Sequence, residues 1–281
     1  LSLNISREML QNSPVMKKVA DNVEKKIIDK LKDIKKNDAD KYAKFFDVFG
    51  EYLKFGIYSS YGGKKEMLQD TLVFHTLNNE DKYVSLKDYK DAMKDGQKCI
   101  YFASGDNIDA IKLLPQIEKF KKDGIDVLFL DKKIDEFCLM MMHDYDKVEF
   151  KSIGEEDADS LSEEDKKKVE DLKATNLRLL DNLKDALSGT VDDVVFSTKL
   201  VDSPVCISTK KGLSLGMEKT LNEDPTKEQD VKAEKVLEIN PDHELFQALS
   251  SIQSDDAAVK EYASVLYDEA MLLEGYEIKD R

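Results

Sequence analysis

The chain has 281 residues, 41% hydrophobic and 36% charged, which excludes a disordered chain and gives a packed core under a surface dense in charge. Its 43 basic and 58 acidic residues leave a net charge of −15, so nucleic acid and anionic membranes are repelled overall. No apolar run reaches the roughly 18–20 residues of a membrane span, and Cys99, Cys138 and Cys206 form no Cys-x-x-Cys pair, so neither a disulfide framework nor a zinc knuckle is supported and a reducing cytoplasm fits.

The chain opens at Leu1 without an initiator Met or a signal peptide and reads as a piece of something longer. Ser13-Pro14 is an N-cap followed by proline at the first helical position. Val15, Val19, Val23, Ile27, Leu31 and Ile34 then recur at helical spacing to about Lys36. A second helix spans Asp38 to Ile57, and its stripe of Tyr42, Phe45, Phe46, Phe49, Tyr52, Leu53 and Phe55 is expected to be core. Ser85, with Asp88 three residues on and Val84 and Tyr89 as a hydrophobic staple, starts a helix that runs to Asp95-Gly96.

Cys99 to Ala103 reads as a strand, Asn107 to Lys122 as a helix closed by Asp123-Gly124, and Ile125 to Leu130 as a strand, which together make a βαβ unit with a parallel pair. Lys147 to Ser152 supplies another strand. Between Gly154 and Asp171 there are nine acidic and three basic residues and almost nothing apolar, the best domain boundary in the chain. Beyond it, Val169 to Leu187 reads as one amphipathic helix, Val191 to Phe196 and Pro204 to Thr209 as strands, and Asp255 to Glu274 as a final helix. The expected architecture is mixed α/β (α+β). Residues 1–155 form helices and an αβα subdomain, 156–171 an acidic linker or helix start, and 172–281 a small α+β domain.

Chemistry is hard to find by motif. His75, His143 and His243 sit in unrelated contexts and read as satisfied or surface histidines. The loop Ala103-Ser104-Gly105-Asp106-Asn107 could present a helix N-terminus to a phosphate, but it has a single glycine and no Gly-x-Gly-x-x-Gly. Asp126, Asp131, Asp135 and Glu136 read as a solvated acidic face.

One segment is more specific. Leu1-Ser2-Leu3-Asn4-Ile5-Ser6-Arg7-Glu8-Met9-Leu10-Gln11 resembles the signature loop of the ninety-kilodalton heat-shock chaperone family, known in bacteria as high-temperature protein G. Blocks similar to that family's middle domain follow in order: Val84 to Tyr89, Gln97 to Phe102, and Ile134-Asp135-Glu136-Phe137. Asp202-Ser203-Pro204-Val205 and Leu237 to His243 resemble its C-terminal domain, so the likeness covers nearly the whole chain.

The resemblance implies a fragment of a cytoplasmic, dimeric, ATP-dependent chaperone that binds non-native client proteins, with the N-terminal ATP-binding domain absent. ATP with Mg2+ would then be the cofactor of the full-length parent, and this chain alone would hold none and be inactive. Arg7 would contact the γ-phosphate, supported by Asn4 and Gln11, as suits a planar, always charged guanidinium. Client contacts are expected at Leu213, Leu215, Met217 and Leu221, which the resemblance puts on an exposed helix where the residues alone read as a core helix, and at Phe137, followed by Met140 to Met142. Dimerisation is expected through Tyr262, Val265, Leu266 and Leu273. The implied partners are clients, a second copy and co-chaperones, with no nucleic acid and no membrane. A family member would continue past Arg281 into one more amphipathic helix, so weaker self-association is expected here, and the lack of an acidic tail suits a bacterial source. The competing reading is a self-contained small α/β enzyme that binds a nucleotide or metabolite through the βαβ unit.

Overall fold

The structure, a computed structural model, describes residues 13–155, 163–227 and 229–277. Two antiparallel helices lead, α1 (Pro14–Asn37) and α2 (Ala39–Ser59), joined at Asp38, whose side chain accepts the Lys41 N–H and caps α2. After a short turn, α3 (Lys65–Leu68), the hairpin β1 (Val73–Thr76) and β2 (Asn79–Ser85) leads into α4 (Leu86–Asp91), capped by Ser85 as its sequence requires but ending four residues earlier than expected. Then come β3 (Cys99–Ser104), α5 (Ile108–Lys112), α6 (Ile117–Asp123), β4 (Leu128–Leu130), α7 (Ile134–Met142), β5 (Asp144–Tyr145) and β6 (Val148–Ser152).

The single helix expected over 107–122 is two. Pro115 offers no N–H and its ring crowds the preceding turn, so the chain breaks there and restarts after Gln116. Gly124 closes the second piece in the left-handed region at φ 60°. The six strands form one sheet in the order β2-β1-β4-β3-β6-β5. The parallel pair of the βαβ unit is present, with Phe102 opposite Leu128, and β6 adds a second parallel neighbour to β3.

The second unit holds α8 (Glu163–Thr175), α9 (Leu177–Ala186), β7 (Asp193–Phe196), β8 (Val205–Thr209), α10 (Leu215–Asn222), β9 (Lys235–Ile239), α11 (Glu244–Ile252) and α12 (Asp256–Leu273). Its sheet runs β7-β9-β8, with β7 parallel and β8 antiparallel to β9. The helix expected over 169–187 is broken at Asn176, whose backbone leaves the helical region at φ −121° and ψ 20°, while the Thr175 hydroxyl and the Asn176 side-chain amide donate to the carbonyl of Leu172. Separate cores serve the two sheets. Phe46, Ile57, Leu72, Ile100, Leu130 and Leu139 belong to the first, while Leu179, Leu183, Val205, Leu237 and Leu266 belong to the second.

Two expectations about burial fail. On α2 only Tyr42 and Phe46 of the aromatic stripe are fully buried, while Phe49, Tyr52 and Phe55 are exposed, because the aromatics extend round the helix beyond the arc that meets the sheet. Asp135 and Glu136 are buried, not solvated: α7 is apolar on most faces and packs against α2 of the first unit and α10 of the second.

Candidate functional site

The two units meet across a polar junction. The break at Pro115 leaves Gln116, at 1% exposure, facing the second unit, where its Nε2 donates to the Ile207 carbonyl and to Glu274 Oε1, both at 2.7 Å. Two residues on, Glu118 accepts the N–H groups of Val201, Asp202 and Ser203 at 2.8, 2.8 and 3.2 Å and the Ser203 hydroxyl at 2.5 Å. Burial alone would raise its pKa, but these four donors favour the charged form and hold the carboxyl below its ordinary value.

From α7, Glu136 accepts the Ser214 hydroxyl at 2.5 Å, and Ser214 in turn caps α10 by accepting the Met217 N–H at 3.0 Å. A Cβ at Gly216 would lie 2.4 Å from Glu136 Oε1, so the close approach of α10 to this acid requires glycine. Burial pushes the Glu136 carboxyl up, and it pushes Glu274 up to about 7 despite the Gln116 hydrogen bond. Lys219 pairs with Asp106 at 2.7 Å and Lys133 with Glu223 across the same junction. The Thr209 N–H meets the Gly154 carbonyl at 2.8 Å, and Lys199 donates to the Glu155 carbonyl at 2.6 Å while pairing with Glu238 at 2.9 Å.

These contacts surround a cavity of about 190 Å³ whose wall includes the Ala103–Asp106 loop, Gln116, Glu136, Phe137, Thr209, Met217, Glu274 and Tyr276. The loop weighed as a phosphate site is therefore unsuited to one. Its helix α5 has five residues, Asn107 caps it through the Ala110 N–H, and Asp106 sets a carboxylate there, already paired with Lys219. Among the described residues no His, Cys, Asp or Glu group is arranged to hold a metal ion, and no helix is long and apolar enough to cross a membrane.

Asn4, Arg7 and Gln11 lie outside the described residues. On the segment expected to hold clients, Leu221 is exposed and Leu213 half-buried, but Leu215 and Met217 are buried because α10 packs against the junction instead of standing free. Phe137 is half-buried and meets Tyr58 edge to face at 5.7 Å between ring centres. On α12, Tyr262 and Val265 are exposed, with Leu272 beside them, whereas Leu266 faces inward into the second core and Leu273 is half-buried. His243 caps α11 by accepting the Leu245 N–H at 3.2 Å, His143 is exposed, and His75 stacks on Tyr83 at 4.3 Å.

Gln116, Glu118 and Glu274 have no motif that marks them, and the Ile134–Phe137 block gave Glu136 no role of its own. The one signal was Pro115, which interrupts a helical pattern and forces its neighbours to turn toward something else. Phe49, Tyr52 and Phe55 read as core and are exposed beside Val48, since spacing gives a face but not its cover.

The sequence pattern of the Hsp90 protein family matches residues 1–281. The chain is 42% identical over 283 residues to the chaperone protein HtpG of Clostridium acetobutylicum and 42% identical over 281 residues to that of Bacillus subtilis. It is 41% identical over 289 residues to HtpG of Clostridium botulinum. All of the chain is covered in each case, and it spans 44–45% of the length of these relatives. With the match running from the first residue to the last, the chain belongs to the Hsp90 family.

Proposed function

We propose that this chain is the client-holding and self-associating part of an ATP-driven chaperone. The observation that carries the reading is the apolar surface on the two leading helices. Val48, Phe49, Tyr52 and Phe55 are exposed on α2, and Val15, Val19, Val23 and Ile27 form a second exposed row on α1. Contiguous apolar surface of this kind marks an interaction site. On α2 the rings of Phe45, Phe49 and Tyr52 follow one another at 5.3 and 6.3 Å, and Phe55, Tyr58 and Phe137 extend the row at 6.1 and 5.7 Å. Methionine side chains adapt to many unfolded sequences, and Met140 on α7 and Leu221 on α10 are also exposed.

Self-association is proposed through α12, where Ala258, Tyr262, Val265, Glu269 and Leu272 recur at intervals of four and three, a seam suited to a second helix. Arg7, with Asn4 and Gln11, is proposed to stabilise the γ-phosphate of ATP bound with Mg2+ by a domain outside this chain. Arg7→Ala in a chain that carries that domain should lower ATP turnover at least roughly tenfold while leaving affinity little changed.

The client reading is tested by the combined variant Phe49→Ser/Tyr52→Ser/Phe55→Ser in an assay of aggregation of a chemically denatured reporter protein. With folding verified by circular dichroism, the variant should lose most of the protection. Full protection by the folded variant would overturn this surface as the client site.

A further inference from the structure

We propose that the C-terminal end of α12 is a strap that couples self-association to the junction. A second copy docked on α12 holds the two units closed, and closure of the units tightens the docking. The coupling rests on α12 being the self-association face and extends that reading to the first unit.

α12 ends inside the junction. Gly275, at φ 78°, turns the chain back, and the N–H groups of Gly275 and Tyr276 close the helix on the carbonyls of Leu272 and Met271, both at 3.0 Å. The residues on either side of this glycine then meet different elements. Glu274 accepts the amide of Gln116 from the first unit at 2.7 Å. The Tyr276 hydroxyl donates to the Leu215 carbonyl at the start of α10 at 3.0 Å, and its ring centre lies 6.0 Å from the ammonium of Lys219, which pairs with Asp106 of the first unit. Leu272, the last residue of the exposed α12 row, stands two residues before Glu274, within the turn that these bonds hold.

A second path runs through β8. α12 packs on that strand, and β8 reaches the first unit twice. Its Ile207 carbonyl accepts the other Gln116 proton at 2.7 Å, and its Thr209 N–H donates to the Gly154 carbonyl at 2.8 Å. One buried side chain of the first unit, Gln116, is therefore bonded at once to the end of α12 and to the strand on which α12 lies.

The junction can open without breaking a core. The buried apolar residues of the two units form separate clusters, and hydrogen bonds and ion pairs join the units across the gap, an interface of the kind that permits relative motion. On opening, Gln116 loses both acceptors, and the last turn of α12, with Leu272, loses its hold on the first unit. A second copy that packs on Leu272 in its ordered position binds the closed form better. By linkage, it stabilises that form by the same factor.

The test is hydrogen exchange of the Thr209 amide, whose bond to Gly154 spans the junction, in the full chain at dimer concentrations and in Val265→Asp, whose seam is broken. Core amides of β3 and β9 serve as references for the two units. Thr209 should exchange at least tenfold more slowly in the dimer, beyond any change at β9, and Gln116→Met should shrink that difference to less than threefold. Tyr276→Phe, which removes a single hydroxyl, should also reduce it and serves if Gln116→Met does not fold. Equal Thr209 rates in dimer and monomer would overturn the coupling and leave α12 as the seam. An undiminished difference in the folded variants would overturn the strap as its carrier. Sedimentation separates the other failure: Val265→Asp that still dimerises, or an unaltered chain that never does, would remove the seam and the coupling with it.

Discussion

Asp135 and Glu136 are neighbours on α7, both buried, and they serve opposite ends. Asp135 turns into the first unit and meets Lys54 at 2.6 Å, with the ammonium of Lys54 also lying 4.7 Å from the centre of the Phe74 ring. Glu136, about 100° round the helix, faces the second unit and is met by hydroxyl groups alone. The first acid is compensated by a charge and closes a core; the second is held by neutral donors and joins two bodies. The strength of both sites depends on protonation, since burial pushes the Glu136 and Asp135 carboxyls up, but only Asp135 has a cation that opposes that shift.

The sharpest way to break this contrast is to remove the cation from the first site. Lys54→Met leaves Asp135 buried without compensation and should cost about 3–5 kcal/mol, whereas Lys54→Met/Asp135→Leu should recover most of the loss. Urea unfolding monitored on the first unit measures both. A single variant within about 1 kcal/mol of the parent would mean that Asp135 is solvated, and the contrast would vanish.

On the other side of the comparison, Glu118→Ala takes the acceptor from three backbone N–H groups of the loop at 201–203. Hydrogen bonds to a charged acceptor with unsatisfied donors left behind are worth about 2–3 kcal/mol, so the amides of Val201, Asp202 and Ser203 should exchange with solvent about 30-fold to 150-fold faster. Because the folded pKa of Glu118 lies below the ordinary value of 4.5, its contribution is present above that pH and lost as pH falls through the folded value. Amide exchange that stays slow in the variant would show that Glu118 does not hold the loop.

Glu274 has the reverse sign. Its folded value of about 7 stands above the ordinary 4.5, so the native state keeps a proton that the unfolded chain releases. The stability this gives is full below about pH 4.5 and is lost as pH rises through about 7. The groups that act on it are Gln116, Lys199 and Glu136. The residue is half-buried, so solvent screening reduces the effect to roughly 1 kcal/mol, or about 2–4 °C in Tm for a chain of this size. Between pH 5 and 8 the parent should lose that much relative to Glu274→Gln, which keeps a partner for Gln116. Parallel pH profiles would place the titration elsewhere.

Local pattern carried most of the framework: α1, α2, α12 and the parallel strands around β3 follow from apolar spacing and caps that lie within a few residues of each other. The β1–β2 hairpin was not legible, because Asn79-Glu80-Asp81-Lys82 forms an exposed strand with nothing apolar to alternate. Nor was α7, whose apolar run has no polar face to give a period. The junction was beyond local reading for a simpler reason. Asp135 finds Lys54 81 positions away, Gln116 finds Ile207 91 away and Glu274 158 away. Nothing near those residues in sequence distinguishes a buried acid from a solvated one. On the segment of Leu213, Leu215, Met217 and Leu221 the resemblance gave a surface and the residues alone a core helix, and Leu215 and Met217 are buried.

Phe137, the next residue on α7, takes a third direction and offers the finest test. Asp135 looks inward and Glu136 across, while Phe137 lies between the cavity wall and the aromatic row, edge to face with Tyr58. An aromatic pair of this geometry is worth about 0.5–1.5 kcal/mol beyond its area, so Phe137→Ala should lower stability by no more than a typical surface-near truncation. If the row on α2 is the client surface, its end at Phe137 contributes one weak contact among many. Client affinity should then fall about threefold to tenfold, and Tyr58→Ala should produce a similar loss. Because the two rings touch, Phe137→Ala/Tyr58→Ala should lose less than the sum of the single effects. Strict additivity in a fluorescence titration with a denatured reporter would separate Phe137 from the row. Loss of folding in Phe137→Ala would instead move this residue to the side of Asp135, as a part of the core.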